Sequence, residues 1–242
     1  MENTYNLTDI HCHLLPGVDD GSASWEETLQ ALKTAAKQQI SSIIMTPHHY
    51  PEKYETKPEK IRNLIIRVKE LAEENNLDFS FYAGQECLYH YELPALLEQG
   101  EVLTLADSRY VLVEFLEDVY YRDIIRGVTA LKDRGFVPIL AHYERYKCLM
   151  EKERLSELKE EDVLLQMNFD TVQRTYGFFR RNPFQEHLKK GFVDFMGSDC
   201  HGINFRKFFI PPSLEWMENN LSDKWNRRIL ENNPQRILKQ IY

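Results

Sequence analysis

The stretch "TDIHCHLLPGVDDG", Thr8 to Gly21, places two histidines one residue apart at the end of an apolar run, then two aspartates on a turn bounded by Gly17 and Gly21. The side-chain period of a strand is two, so His11 and His13 share a face while Cys12 points away, and both imidazoles can bind metal. "GSDCH", Gly197 to His201, repeats the device near the other end of the chain with Asp199 and His201. Between them, other apolar runs finish on a polar side chain of the same kind: "SSIIMTPH" on His48, "DFSFYAGQE" on Glu86, "YVLVEF" next to Glu114 and "FVPILAH" on His142.

With "NLTDIH", "VLLQMNF" and "FVDFMGSD", these runs predict seven strands that alternate with amphipathic helical segments. "SASWEETLQALKTAAKQQ" begins with Ser24 as N-cap and Glu27 three residues on, and Leu29, Leu32 and Ala36 fall on one face. "KPEKIRNLIIRVKELAEENN" carries Ile61, Leu64, Ile65, Val68, Leu71 and Ala72 at helical spacing, and "YRDIIRGVTALKDRG" ends in Gly135 as C-cap. A last helix is expected to start at Asn233 before Pro234. This alternation implies βαβ units and a parallel sheet buried on both faces. A doubly wound sheet fits the pattern too. The polar strand ends favour a closed α/β barrel, because only a barrel gathers every carboxyl edge at one mouth.

The chain has 242 residues and no repeat or linker, which predicts one domain over 1–242. No apolar run approaches the roughly 20 residues of a membrane span, and "MENTYNLTDI" lacks the basic and apolar regions of a leader, so a cytoplasmic protein that is not inserted in a membrane is expected. The net charge of −8 argues against nucleic acid as a partner and leaves room for a small phosphorylated group. Cys12, Cys87, Cys148 and Cys200 form no CxxC pair, which excludes a thiol redox motif and a cysteine-only zinc site.

Histidine with carboxylate suits manganese, iron or zinc better than magnesium or calcium. Taken singly, His48 or His142 reads as a satisfied core histidine. Glu86 and Glu114 weigh more, because a carboxylate at a buried strand end is destabilising by several kcal/mol unless paired or metal-bound. His49, His90 and His187 fall outside the pattern. Turn chemistry alone could explain Asp19 and Asp20, yet Asp20 sits beside the helix start and could orient a histidine or contact a metal or its water. Arg145 and Arg206, which follow His142 and His201, suit bidentate recognition of phosphate or carboxylate. Cys148 and Arg154 in "CLMEKER" satisfy the CxxxxxR spacing of a cysteine phosphatase, but the intervening glutamates would repel the phosphate.

Together "DIHCHLLPGVDDG", "TPHH", "GQE", "VEF", "AHYERY" and "GSDCH" resemble the PHP (polymerase and histidinol phosphatase) superfamily, and most of all its bacterial manganese-dependent protein tyrosine phosphatases of capsule and exopolysaccharide synthesis. The resemblance implies a distorted, TIM-like (β/α)7 barrel, the PHP fold, with two or three metal ions, Mn2+ first and Fe, Co or Zn as alternatives. It implies His11, His13, His48, Glu86, Glu114, His142, Asp199 and His201 as metal ligands, and Asp20, Arg145 and Arg206 as catalytic and phosphate-binding residues. The implied reaction is metal-assisted hydrolysis of phosphotyrosine on the tail of a bacterial tyrosine kinase. Gln85 stands before Glu86 where small residues are common in the family, and Cys12, Cys87 and Cys200 adjoin expected ligands. A histidinol-phosphate phosphatase, a metal-dependent amidohydrolase and a non-catalytic, metal-stabilised kinase-docking module are the competing readings.

Overall fold

A computed structural model describes residues 5–151, 153–175 and 182–239; the start of "MENTYNLTDI" and Lys152 of "CLMEKER" lie outside them. The strands are β1 (Leu7–Cys12), β2 (Ile40–Met45), β3 (His48–Tyr50), β4 (Tyr54–Glu55), β5 (Ser80–Ala83), β6 (Glu86–Leu88), β7 (Tyr110–Glu114), β8 (Val137–Leu140), β9 (Leu164–Asn168) and β10 (Phe195–Gly197). They form a mixed α/β fold with two sheets, ordered β1-β2-β5 and β10-β9-β8-β7-β6-β3-β4. Every pairing is parallel except the β3–β4 hairpin.

Two of the expected strands are each broken in two. Pro47 and Gly84 interrupt the ladders, so His48 and Glu86 open the short strands β3 and β6 instead of closing β2 and β5. Proline lacks the N–H a ladder needs, and a Cβ on Gly84 would come within 2.9 Å of the Leu105 side chain. The chains stay in register across the break, because Gly84 N–H donates to Met45 O at 2.9 Å and Glu86 N–H to Pro47 O at 3.2 Å. At the other sheet edge, Cys12 and Cys200 form a parallel bridge, with His13 N–H donating to Cys200 O and Asp199 N–H to His11 O, both at 2.8 Å.

Strand parity sorts the apolar side chains into two clusters. Ile10, Ile44, Tyr110, Leu112, Ile139 and Phe195 pack together on one face of the strands and are capped by Ile237 and Leu238. The larger cluster takes the opposite face, with Val111, Val113, Leu140, Leu165 and Met167, and holds Cys12, Cys87 and Cys200. Glu114 has the parity of Tyr110 and Leu112, Asp199 that of Phe195, and Gln166 and Asn168 that of Leu164, so the polar groups continue the smaller cluster upward. Helices α1 (Trp25–Lys37), α2 (Pro58–Glu74), α3 (Leu93–Glu98) and α4 (Tyr121–Asp133) follow the early strands, and α1, α2 and α4 lie against β2, β5 and β8 respectively.

Helix α1 is capped as expected: Glu27 N–H donates to Ser24 Oγ at 3.2 Å, and Ala23 N–H donates back to Glu27 Oε2 at 2.9 Å. Its buried face is Thr28, Ala31, Leu32 and Ala35, with the expected Ala36 partly buried against the same core and Thr28 Oγ1 donating to Leu14 O at 2.9 Å. Later come α5 (Arg154–Glu160), α6 (Pro183–Lys189), α7 (Pro211–Asn220), α8 (Asp223–Arg227) and α9 (Asn233–Leu238). Helix α9 starts at Asn233 with Pro234 in its first turn, as expected. A π-helical turn over Arg228–Asn232 joins α8 to α9 without a break, and a wider turn tolerates the missing proline N–H.

Candidate metal centre

The eight expected ligands converge where strands of both sheets end or restart. His11 Nε2 lies 3.1 Å from His13 Nε2, 3.2 Å from Glu86 Oε2 and 3.4 Å from Asp199 Oδ1. His48 Nδ1 is 3.1 Å from both Glu86 Oε2 and Glu114 Oε1, and His142 Nε2 is 2.7 Å from Glu86 Oε1. The His201 ring stacks on His13 with centroids 4.1 Å apart. Donor atoms within 4.8 Å of one another fall into three overlapping sets: His11, His13, Glu86 and Asp199; His48, Glu86 and Glu114; and His13, His48 and His201. His142 joins no set and touches the centre through Glu86.

The second ring nitrogens explain why these donors face inward. His11 Nδ1–H donates to Gln166 Oε1 at 3.0 Å, His13 Nδ1–H to Asp19 Oδ2 at 2.9 Å, and His201 Nδ1–H to the Asp199 carbonyl at 2.9 Å. With Nδ1 protonated, each neutral ring presents its Nε2 lone pair. Nε2 of His11 and Nε2 of His13, 3.1 Å apart, are close enough to share a proton or to flank a cation. Glu86 Oε2 and His48 Nδ1 are buried 3.1 Å apart, within ion-pair distance of each other, yet neither makes an aligned hydrogen bond. The donors therefore fit divalent metal, and the nitrogen and oxygen set suits a transition ion.

The charges agree. Burial raises the Glu86 pKa, but His11 and His48 more than reverse this and hold it well below the carboxylate range. Asp199 is likewise shifted down, against burial, by His11 and Arg145. Burial is also outweighed at His13, where Asp19 and Glu86 hold the pKa well above the ordinary imidazole value. His201 is pushed the other way, to about 4, by burial and by His13. Three of the ten left-handed non-glycine residues among those described lie here: His142 (φ 31°), Asp199 (φ 52°) and Arg206 (φ 44°). Such conformations cost about 1–3 kcal/mol each.

Arg145 ion-pairs with Asp199, whose Oδ2 also accepts from Asn168 Nδ2 at 2.9 Å. Arg206 Nη1 is 3.1 Å from His201 Nε2 and 3.8 Å from Asp199 Oδ2. Asp20 is half-exposed and faces the centre, with Oδ1 3.4 Å from His48 Nε2 and 3.7 Å from His201 Nε2. The hydrogen-bonded partner that orients His13 is Asp19. Gln166 was also missed, and it serves two residues by accepting from His11 Nδ1–H and from His142 N–H at 2.9 Å. Its signal was present as the alternation of Gln166 and Asn168 with apolar Leu165 and Met167.

The bystanders are accounted for. Cys12, Cys87 and Cys200 are buried thiols in the apolar cluster, and burial pushes Cys200 up to about 12. Burial raises the Cys148 pKa too, and Arg154 is engaged by Glu151 and Glu157, so the CxxxxxR spacing builds no thiolate site. His49 and His90 face each other with centroids 5.8 Å apart, and His187 packs on Tyr143. Tyr54 lies parallel to His48 with centroids 5.8 Å apart, whereas Tyr121 sits under Arg154.

A family model described as "Capsular polysaccharide synthesis, CpsB/CapC" matches residues 7–239. The tyrosine-protein phosphatase CpsB of Streptococcus pneumoniae is 30% identical over 238 residues, 96% of this chain and 98% of that protein. A solved structure from work on YwqE of Bacillus subtilis and CpsB of S. pneumoniae, described as metal-dependent tyrosine phosphatases, superposes with a TM-score of 0.86 at 26% identity, covering 98% of this chain and 96% of its own. Histidinol phosphate phosphatase of Lactococcus lactis shares the fold at a TM-score of 0.52 and 12% identity, covering 98% of this chain and 94% of its own.

Proposed function

Because the chain belongs to the CpsB/CapC family of capsular polysaccharide synthesis, we propose that it is a metal-dependent tyrosine-protein phosphatase. The observation that carries this reading is the convergence of His11, His13, Glu86 and Asp199, buried donors whose ligand atoms lie within 4.8 Å of one another. We further propose His11, His13, His48, Glu86, Glu114, His142, Asp199 and His201 as ligands of two or three ions. Mn2+ is the first choice, and Fe, Co or Zn suit the same donors.

When bound, such cations supply Lewis-acid charge and activate water for attack at phosphorus. Arg145, held by Asp199, and Arg206 bind the phosphoryl oxygens and offset the charge that builds up on them. Asp20 Oδ1, half-exposed between His48 and His201, accepts a proton from water and can return it to the departing phenolic oxygen. Tyr54, parallel to His48, offers the substrate ring an aromatic wall.

The Cys12–Cys200 bridge and the shared interior cluster support reading the two sheets as one distorted, TIM-like (β/α)7 barrel, and residues 1–242 as one domain. Among the described residues no helix is long and apolar enough to cross a membrane. The partner we propose is the phosphotyrosine-bearing tail of a bacterial tyrosine kinase, met in the cytoplasm.

The test is phosphate release from a phosphotyrosine peptide and from histidinol phosphate, by protein stripped with a chelator and reloaded with each metal. Release from the peptide should vanish with chelation and return with Mn2+. Release that persists without metal, faster turnover of histidinol phosphate, or peptide binding without release at full metal occupancy would overturn the reading.

A further inference from the structure

Asp199 is a partition. Its Oδ1 faces His11 and His13 at 3.4 and 3.6 Å, while its Oδ2 faces away, toward Arg145, Asn168 and Arg206. Behind that oxygen opens a cleft of about 70 Å3, lined by four basic residues, Arg145, Arg174, Arg206 and Lys207, and by the carboxylates Asp170 and Asp199. Liquid water takes about 30 Å3 per molecule, so the space suits a small anion better than an aromatic ring.

The cleft is cationic in a chain whose net charge is −8. Of its four basic side chains, Arg145 is neutralised by Asp199, and Arg174 reaches Asp170 at 3.1 Å in a solvent-exposed pair that contributes little. Arg206 is 3.8 Å from Asp199 Oδ2, and no carboxylate of the described residues is within ion-pair distance of Lys207. Phe209, 42% exposed, also lines the cleft and sets an apolar surface beside the charges.

We infer that Lys207 and Arg174 form an anion subsite, separated from the metal centre by Asp199, that takes an acidic group carried by the same peptide next to its phosphotyrosine. The inference rests on the phosphatase reading and deepens it. Arg145 and Arg206 are assigned to the phosphoryl group, which leaves Lys207 and Arg174, further along the same cleft, to a second negative group, a carboxylate or another phosphate. The substrate class is then an acidic or multiply phosphorylated tyrosine peptide.

The experiment uses the Mn2+-loaded protein and three phosphotyrosine peptides that differ only at the neighbouring residue: alanine, glutamate or a second phosphotyrosine. The readout is the ratio of kcat/KM between the charged and the alanine peptides, in which a general change of activity cancels. Wild type should favour at least one charged peptide by roughly fivefold, mostly through KM, with the preference weakened by salt. Preference for both assigns the subsite to negative charge as such, and preference for the second phosphotyrosine alone assigns it to phosphate. Lys207→Glu should bring the ratio to one or below, and Lys207→Arg should retain it. Equal turnover of all three peptides by wild type, or an undiminished ratio in Lys207→Glu, would overturn the inference. A wild-type protein that releases phosphate from none of them would instead refute the phosphatase reading.

Discussion

Asp19 holds His13 by its outward nitrogen, accepting from Nδ1–H at 2.9 Å with the same oxygen that accepts from the His48 backbone N–H at 3.0 Å. Burial alone would raise the Asp19 pKa, but the hydrogen bond and charge of His13 lower it to about 2, so the side chain stays ionised across the physiological range. One carboxylate thus fixes the tautomer of one candidate ligand and the backbone position of another. Replacing such an orienting partner typically weakens metal binding by about 10- to 100-fold. Asp19→Ala should show that loss in a competition titration against a chelator of known affinity. Unchanged affinity would mean that His13 is oriented by something else.

Gly21 is required by space. A Cβ there would lie 2.1 Å from the His13 carbonyl oxygen, which also accepts from Ser22 N–H at 2.9 Å. Gly17 has a different reason, a left-handed φ of 69° with open space around it. Gly21→Ala should destabilise the fold by about 1–3 kcal/mol and also weaken metal binding, because the displaced atom belongs to a candidate ligand. Gly17→Ala should cost about 1 kcal/mol and spare the metal. Urea unfolding midpoints and metal titrations of both variants check this; equal effects on metal affinity would contradict it.

His187, half-buried on α6, is pushed down to about 4 by burial and by Lys190. The unfolded chain takes up a proton near the ordinary value of about 6.5, where the folded protein does not. Stability from this site is therefore complete above about pH 6.5 and is lost as the pH falls toward 4, by about 1–2 kcal/mol once partial solvent screening is allowed for. His187→Gln should remove that slope. Urea unfolding of both metal-free proteins at pH 7, 5.5 and 4.5 measures it, since the candidate ligands titrate in both and cancel. Parallel losses in the two proteins would contradict the assignment.

The features legible in the sequence were those that follow from strand parity alone. His11 and His13 share a face because strands alternate, and Glu114 lands inside because Tyr110 and Leu112 do. What escaped depends on backbone direction at single residues. Pro47 and Gly84 each break a strand, yet neighbouring breaks preserve the register, so His48 and Glu86 still meet. Whether Asp19 or Asp20 turns inward is decided by the dihedrals of one turn, which composition does not encode. Gln166 and Asn168 were readable by the same parity rule, as polar side chains on the buried face of an apolar strand.

The contact between Cys12 and Cys200 spans nearly the whole chain, and the donors that flank it come from both ends. During synthesis, His11 and His13 leave the ribosome long before Asp199 and His201 exist. The four-donor set that includes Asp199 can therefore close only after the last parallel strand is made. Assembly of that donor set is a late event, and a chain that ends before Asp199 lacks its fourth donor.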